Sequence, residues 1–252
     1  MSTSKEKEKN NTWDVIAESY TEWIKEDKLG KSLFAILEKE MLNSIGDIKN
    51  KTVLDLGCGD GYLSRKFAKL KSTVFAIDGS SEMINLAIKN SKNENITFQV
   101  GDIREKLPYN DECFDYVVSN MVLMYCEEIS LIIQEISRIL KTNGKFLFSI
   151  VHPCFKGDWG LTQENLPVLT FTNNYNKQYS YIKKLDKLFS QPCVYYNRPI
   201  HYYVQALIKN QFSMTNFIET SISNDYLKSK STDYPLWYNV SSNHLIIGSV
   251  KV

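Results

Sequence analysis

Apolar positions near the start of the chain recur at helical spacing. Trp13, Ile16, Ala17, Tyr20 and Ile24 share one face, and Leu33, Phe34, Leu37 and Met41 make a second amphipathic stretch before "GDIKNK" closes the region. From Thr52 the pattern changes. "TVLDLG" reads as a strand and Tyr62 to Leu70 as a helix. "TVFAID" is the next strand, and Ser80 or Ser81 can cap a helix that carries Met83, Ile84, Ala87 and Ile88 on one side. "ITFQV" and "FDYVVSN" follow as strands, the latter apolar enough to be buried on both faces. Ile129, Ile132, Ile133, Ile136, Ile139 and Leu140 mark a strong amphipathic helix. "TNG" is expected to end it with Gly144 near the cap, and "KFLFSIV" to form the fifth strand. Strands alternating with helices predict an α/β fold with a doubly wound parallel sheet.

After His152 this rhythm stops. Residues 153–198 are long for a connection and predict a functional lid or an inserted subdomain. Seven of the fifteen tyrosines fall between Tyr175 and Tyr203, so the aromatic enrichment is local. "HYYVQALIKNQF" then predicts a helix, and "FSMTNFIET" and "NHLIIGSVKV" predict two closing strands. The expected organisation is an N-terminal helical segment (1–46) that serves as a lid, a core (47–152), a substrate-side insert or lid (153–198) and a completion of the core sheet (199–252).

Composition adds limits. A chain of 252 residues with 43% hydrophobic content can bury a sizeable core. A formal net charge of +1 gives no electrostatic footprint for nucleic acid. The five cysteines, Cys58, Cys113, Cys126, Cys154 and Cys193, form no CxxC pair, so no metal site is expected. Reduced thiols, a polar start read as a frayed end, and no apolar run long enough to span a membrane fit a cytoplasmic protein.

The chemistry concentrates in "VLDLGCGDGYL", where Gly57, Gly59 and Gly61 turn a strand into a helix. Such turns let backbone approach a ligand closely. Asp78 ends the next strand, twenty-one positions after Gly57, where an acid can accept both hydroxyls of a ribose. A dinucleotide is disfavoured on two counts. Tyr62 stands where the third glycine of GxGxxG belongs, and Asp55 would bring negative charge towards a pyrophosphate. Asp55 suits a cationic ligand without phosphate, such as S-adenosylmethionine; as an alternative it caps backbone amides. Asp102, after the third strand, is placed to accept from an adenine amine, with the Ile103 amide donating to a ring nitrogen; as an alternative it caps the turn "IREKL".

Taken together, these motifs resemble the class I S-adenosylmethionine-dependent methyltransferases, in particular the small-molecule group called type 11. The resemblance spans roughly residues 50–152. It rests on "VLDLGCGDGYLS", "FAIDGSSEMINLA", "VGDIREKLPYNDECFDYVVSNMVLMYC" and "EISRILKTNGKFLFSI". It implies a Rossmann-like seven-stranded sheet whose last strand is antiparallel. It also implies S-adenosylmethionine as cofactor and S-adenosylhomocysteine as product. Carried over, it puts Asp55, Gly57, Cys58 and Gly59 at the methionine part, Asp78 at the ribose and Met83 near the adenine. Asn120 and Met121 fall on the methyl-donor side. Tyr20 matches a tyrosine that closes over the cofactor, or is a plain core aromatic. Gly79 departs from relatives that carry a larger residue there, and eases the turn.

On the acceptor side, His152 is the candidate general base, with a loop-orienting role as its alternative. His201 could face solvent, and His244 is expected to be structural. Arg198 could pair an acidic substrate group or a surface carboxylate, and the tyrosine-rich insert could form an aromatic pocket or merely pack. Because every matched acid precedes His152, the cofactor site is expected to be complete without the insert. The expected function is methyl transfer to O, N or C of a small-molecule acceptor. Alternatives are an RNA or nucleoside methyltransferase and a non-catalytic partner subunit with the same fold.

Overall fold

A computed structural model describes all residues except 1–3, 27, 93–94, 156–157, 165, 172–174, 185–188 and 222–241. Helices α1 (Ser4–Glu26) and α2 (Lys28–Ile45) open the chain. The alternating core follows as β1 (Thr52–Leu56), α3 (Tyr62–Lys69), β2 (Thr73–Asp78), α4 (Ser81–Asn90), β3 (Ile96–Val100), β4 (Phe114–Asn120), α5 (Ser130–Ile139) and β5 (Leu140–Val151). Two hairpins come next: β6 (Asp158–Leu161) with β7 (Pro167–Thr170), and β8 (Tyr179–Lys183) with β9 (Cys193–Asn197). Helix α6 (Ile200–Lys209) and strands β10 (Phe212–Thr220) and β11 (His244–Lys251) close the chain.

The main sheet has seven strands in the order β10-β11-β5-β4-β1-β2-β3. Strand β11 runs antiparallel to both β5 and β10, and the pairings among β1 to β5 are parallel. This is the Rossmann-like sheet with one reversed strand that the motifs imply. Strand order switches between β1 and β4, so the carboxyl ends of β1, β2 and β4 open onto a common crevice.

Hydrophobic clusters cover both faces. One contains Ile132, Ile133, Ile136 and Ile139 of α5 with Phe146 and Phe148 of β5 and Leu207 of α6. The other seats Leu37, Met41 and Ile45 of α2 on Val53, Val74, Val118 and Ile246 of the sheet. Helix α2 is thus a layer of the core, and the covering role expected of the whole N-terminal segment falls to α1. Helix α1 already includes residues from Ser4, where a frayed end was expected.

Two further expectations change. Helix α5 stops at Ile139, and Gly144 lies in β5. The carbonyls of Arg138 and Ile139 accept from the amides of Glu112 and Cys113, so the chain leading into β4 satisfies the helix end early. The insert, expected as a lid or an inserted subdomain, also packs into the core. Phe189, Cys193 and Tyr195 are buried in the main cluster, so its removal would open the core. No helix among the described residues is long and apolar enough to cross a membrane.

Candidate cofactor and methyl-transfer site

A cavity of about 160 Å³ lies at the carboxyl ends of β1 to β4, beneath α1. Gly57 and Gly59 of the first turn, Asp78, Gly79 and Met83 of the second, and Asp102 and Ile103 of the third line it. So do Asn120 and Met121 after β4, and Tyr20 from α1. The structure therefore gathers ten of the residues singled out in the sequence around one space. It leaves out Asp55, Cys58 and His152.

The first turn is built for close approach. Gly57 has φ +77°, and a Cβ there would come within 2.5 Å of the Val122 side chain. A Cβ on Gly59, at φ +54°, would meet nothing within 4 Å, since that position faces open space. Asp78 pins the loop: one carboxylate oxygen accepts from the Gly59 amide at 2.9 Å and the other from the Ser80 amide at 2.9 Å. Burial pushes its carboxyl up, and these amides oppose the shift. A carboxylate has about four acceptor sites, so capacity remains for two ribose hydroxyls. Ser80 caps α4 by accepting from the Met83 amide at 3.1 Å.

Asp102 is paired with Arg104, whose guanidinium reaches both oxygens, one at 2.5 Å. Burial pushes the Asp102 carboxyl up, but Arg104 outweighs it and holds it below the usual range. The carboxylate is kept charged, which makes both of its oxygens acceptors. Arg104 itself lines the cavity. Beyond β4, Met121 sits at φ +59°, and its amide donates to both oxygens of Ser149, while the Ser149 hydroxyl donates to Asn120 at 2.6 Å. The end of β5 thus fixes the two residues expected on the methyl-donor side.

Four sequence readings change. Asp55 is 1% exposed and accepts from the Ser64 hydroxyl at 2.6 Å, so it lies under the glycine loop and does not touch the cavity. Burial pushes its carboxyl up to about 7. Cys58 is buried against Ala76 and Ile84 behind the same loop. His152 is 2% exposed; one ring nitrogen contacts Glu219 at 2.6 Å and the other accepts from the Cys154 amide at 3.2 Å. Burial lowers its basicity against the opposing pull of Glu219. With both nitrogens engaged and the ring outside the cavity, it orients the turn after β5 and is not placed as a base. Among the described residues, Arg198 pairs with no carboxylate. Its guanidinium donates to the carbonyls of Leu123, Cys126, Glu127 and Tyr196, holding the 3-10 turn Leu123–Tyr125.

Sequence reasoning missed Trp13, Tyr125 and Cys126, which line the opposite end of the cavity. Trp13 carried a signal, since it shares the apolar face of α1 with Tyr20. Their rings meet edge to face at 5.4 Å. The insert tyrosines stand behind this wall: Tyr195 packs on Tyr125 at 4.9 Å and stacks on Tyr181 at 5.1 Å. Among the described residues, none of 153–198 lines the cavity itself. Asp14 was also missed. It accepts from the hydroxyls of Ser80 at 2.6 Å and Ser81 at 3.4 Å and from the Glu82 amide at 3.2 Å, which clasps α1 to the start of α4.

A family model described as a methyltransferase domain matches residues 47–228. The chain belongs to that family. Its architecture is the class I, S-adenosylmethionine-dependent one. An S-adenosylmethionine dependent methyltransferase from Mesorhizobium loti superposes with a TM-score of 0.72 at 21% identity, covering 85% of this chain and 96% of that one. Magnesium protoporphyrin IX methyltransferase from Synechocystis PCC 6803, solved with S-adenosylhomocysteine, gives 0.62 at 16% identity, covering 98% and 100%. In sequence, the malonyl-[acyl-carrier protein] O-methyltransferase of Hamiltonella defensa is 36% identical over 119 residues, 46% of this chain and 45% of the relative. That of Bacillus cereus is 32% identical over 124 residues, 48% and 44%. The chain spans a little under half the length of these curated relatives.

Proposed function

We propose that this methyltransferase binds S-adenosylmethionine in the cavity at the ends of β1 to β4 and methylates a small-molecule acceptor. The carrying observation is the convergence of Asp78, Asp102 and the Gly57–Gly59 turn on one cavity. When bound, the cofactor supplies a methyl group on a sulfonium, which passes to a nucleophile as the carbon–sulfur bond breaks and its electron pair returns to sulfur.

The chain's part is to bind and to orient. Asp78 takes the ribose hydroxyls, and Asp102, kept ionised by Arg104, takes the adenine amine. Met83 and Ile103 offer apolar faces to the adenine ring. Asn120 and Met121 border the reacting end. The Tyr20 hydroxyl makes no hydrogen bond among the described residues, and burial pushes its pKa up, so it stays a donor facing the bound molecule. Among the described cavity residues, none is placed as a general base. In-line positioning is then the main source of rate, and the acceptor's proton leaves to water.

Calorimetry with S-adenosylmethionine, S-adenosylhomocysteine and NAD tests the cofactor. Binding of the first two without the third is expected, and tight NAD binding with no response to S-adenosylhomocysteine would overturn the reading. Labelled methyl transfer into a metabolite extract, with malonyl thioesters assayed in parallel, identifies the acceptor.

A further inference from the structure

Two hollows in this molecule share a wall. Beside the cavity lies a crevice of about 40 Å³ lined by Thr12, Trp13, Tyr125, Cys193 and Val194. Trp13 and Tyr125 line both spaces. Their rings meet edge to face, centroids 5.0 Å apart at 80°, and so form a partition. We propose that the crevice is the outer part of the acceptor site. It takes an uncharged aromatic or alkyl portion of the acceptor, and the partition opens to pass the reacting atom to the cofactor. The proposal rests on the reading of the cavity as the cofactor site.

The distribution of charge points to that class of acceptor. Asp78, Asp102 and Arg104 are the charged side chains lining the cavity, and all three follow β2 or β3. Beside the partition leaves Trp13 and Tyr125 the lining includes Tyr20, whose ring meets that of Trp13, and Cys126, next to Tyr125 in the chain. The crevice beyond carries no charged side chain among its lining residues. A carboxylate or phosphate entering there would lose water without gaining a partner, whereas an aromatic or alkyl group would lose nothing polar.

The two leaves of the partition are held differently. Tyr125 is fixed: its hydroxyl donates to that of Tyr195 at 3.3 Å, its ring packs on the Tyr195 ring, and Arg198 ties down the turn that presents it. Trp13 meets Tyr125 and Tyr20 by ring edges and is only partly buried against the main cluster, so it is the leaf that swings. The insert then shapes acceptor binding from behind the wall and through Cys193 and Val194, while the cofactor lies on the other side.

The probe for the test is 2-naphthol, with malonate as its anionic counterpart. Binding of each to protein saturated with S-adenosylhomocysteine is followed by calorimetry. The wild type is expected to bind 2-naphthol and not malonate. Val194→Trp, which fills the crevice from a half-buried position on β9, is expected to weaken 2-naphthol at least tenfold and leave S-adenosylhomocysteine affinity within threefold. Thr12→Trp, from the facing helix, makes the same test should Val194→Trp not fold. Unchanged 2-naphthol affinity in both folded variants, or a preference for malonate, would overturn the proposal alone. Failure of S-adenosylhomocysteine to bind the wild type would overturn the cofactor reading, and this one with it.

Discussion

The two ends of the cavity are built by opposite means. The acid end comes from two strand-to-helix turns and the turn between β3 and β4, each supplying an acceptor or a glycine within a few residues of a strand terminus. The aromatic end is assembled from Trp13 of α1, Tyr125 of a 3-10 turn and the backing of Tyr195 and Tyr181 in the β8–β9 hairpin. Local geometry fixes the first, so it suits a ligand that stays the same across a family. Tertiary packing fixes the second, so it can change with the acceptor while the sheet keeps its form.

Substitutions can break this contrast. The largest effect is expected at Gly57. An alanine must hold φ +77° and push into Val122, and the backbone term alone costs about 1–2 kcal/mol. Gly57→Ala should abolish measurable S-adenosylhomocysteine binding and lower the melting temperature. Val122→Ala in the same chain should restore part of it; wild-type affinity in the single variant would show that the close approach is not needed.

Asp55 comes next. Its folded pKa of about 7 lies above the ordinary aspartate value of 3.8, so the folded state holds the extra proton between them. Stability should therefore fall as pH rises through that window, by up to about 4 kcal/mol. Asp55→Asn removes the titration, and its urea midpoint should gain on the wild type between pH 5 and pH 8. Parallel pH profiles would place the burial cost elsewhere.

Asp78→Ala strips acceptors from the Gly59 and Ser80 amides as well as from the ribose. At about 1.5–3 kcal/mol for each bond to a charged group, cofactor affinity should fall at least tenfold. Circular dichroism should still report a folded chain, and unchanged affinity would move the ribose contact. The smallest effect on chemistry is expected at His152. His152→Gln should lower the melting point but leave the methyl-transfer rate within about threefold at any pH, because both ring nitrogens serve the turn. A large loss rescued at high pH would restore the histidine as base.

These contrasts mark what a sequence can show. Gly57, Asp78 and Asp102 were legible because each belongs to a short motif whose geometry follows from its own neighbours. The alternation of β1 to β5 with helices was legible for the same reason. Asp55 shares a motif with Gly57, yet pointing under the loop or into the cavity depends on Ser64 of the following helix. The end of α5 was misplaced because the amides of Glu112 and Cys113, far off in the chain, capture its last carbonyls. Arg198 gave no hint of its partners, since backbone carbonyls carry no residue identity. Trp13 and Tyr125 lie too far apart in sequence for any local pattern to join them.

The position of β11 also has a consequence in time. Strands β1 to β5 pair within residues 52–151, but β10 pairs only with β11, and β11 must enter between β10 and β5. The Ser249 hydroxyl reaches the Phe146 carbonyl across 103 positions of chain. Such closure costs loop entropy before any pairing repays it, so the sheet is expected to fold in two stages. Pulsed hydrogen exchange should find amides of β1 and β4 protected before those of β10. In the interval β5 has a bare edge, and that is when the chain is most exposed to pairing with another copy of itself.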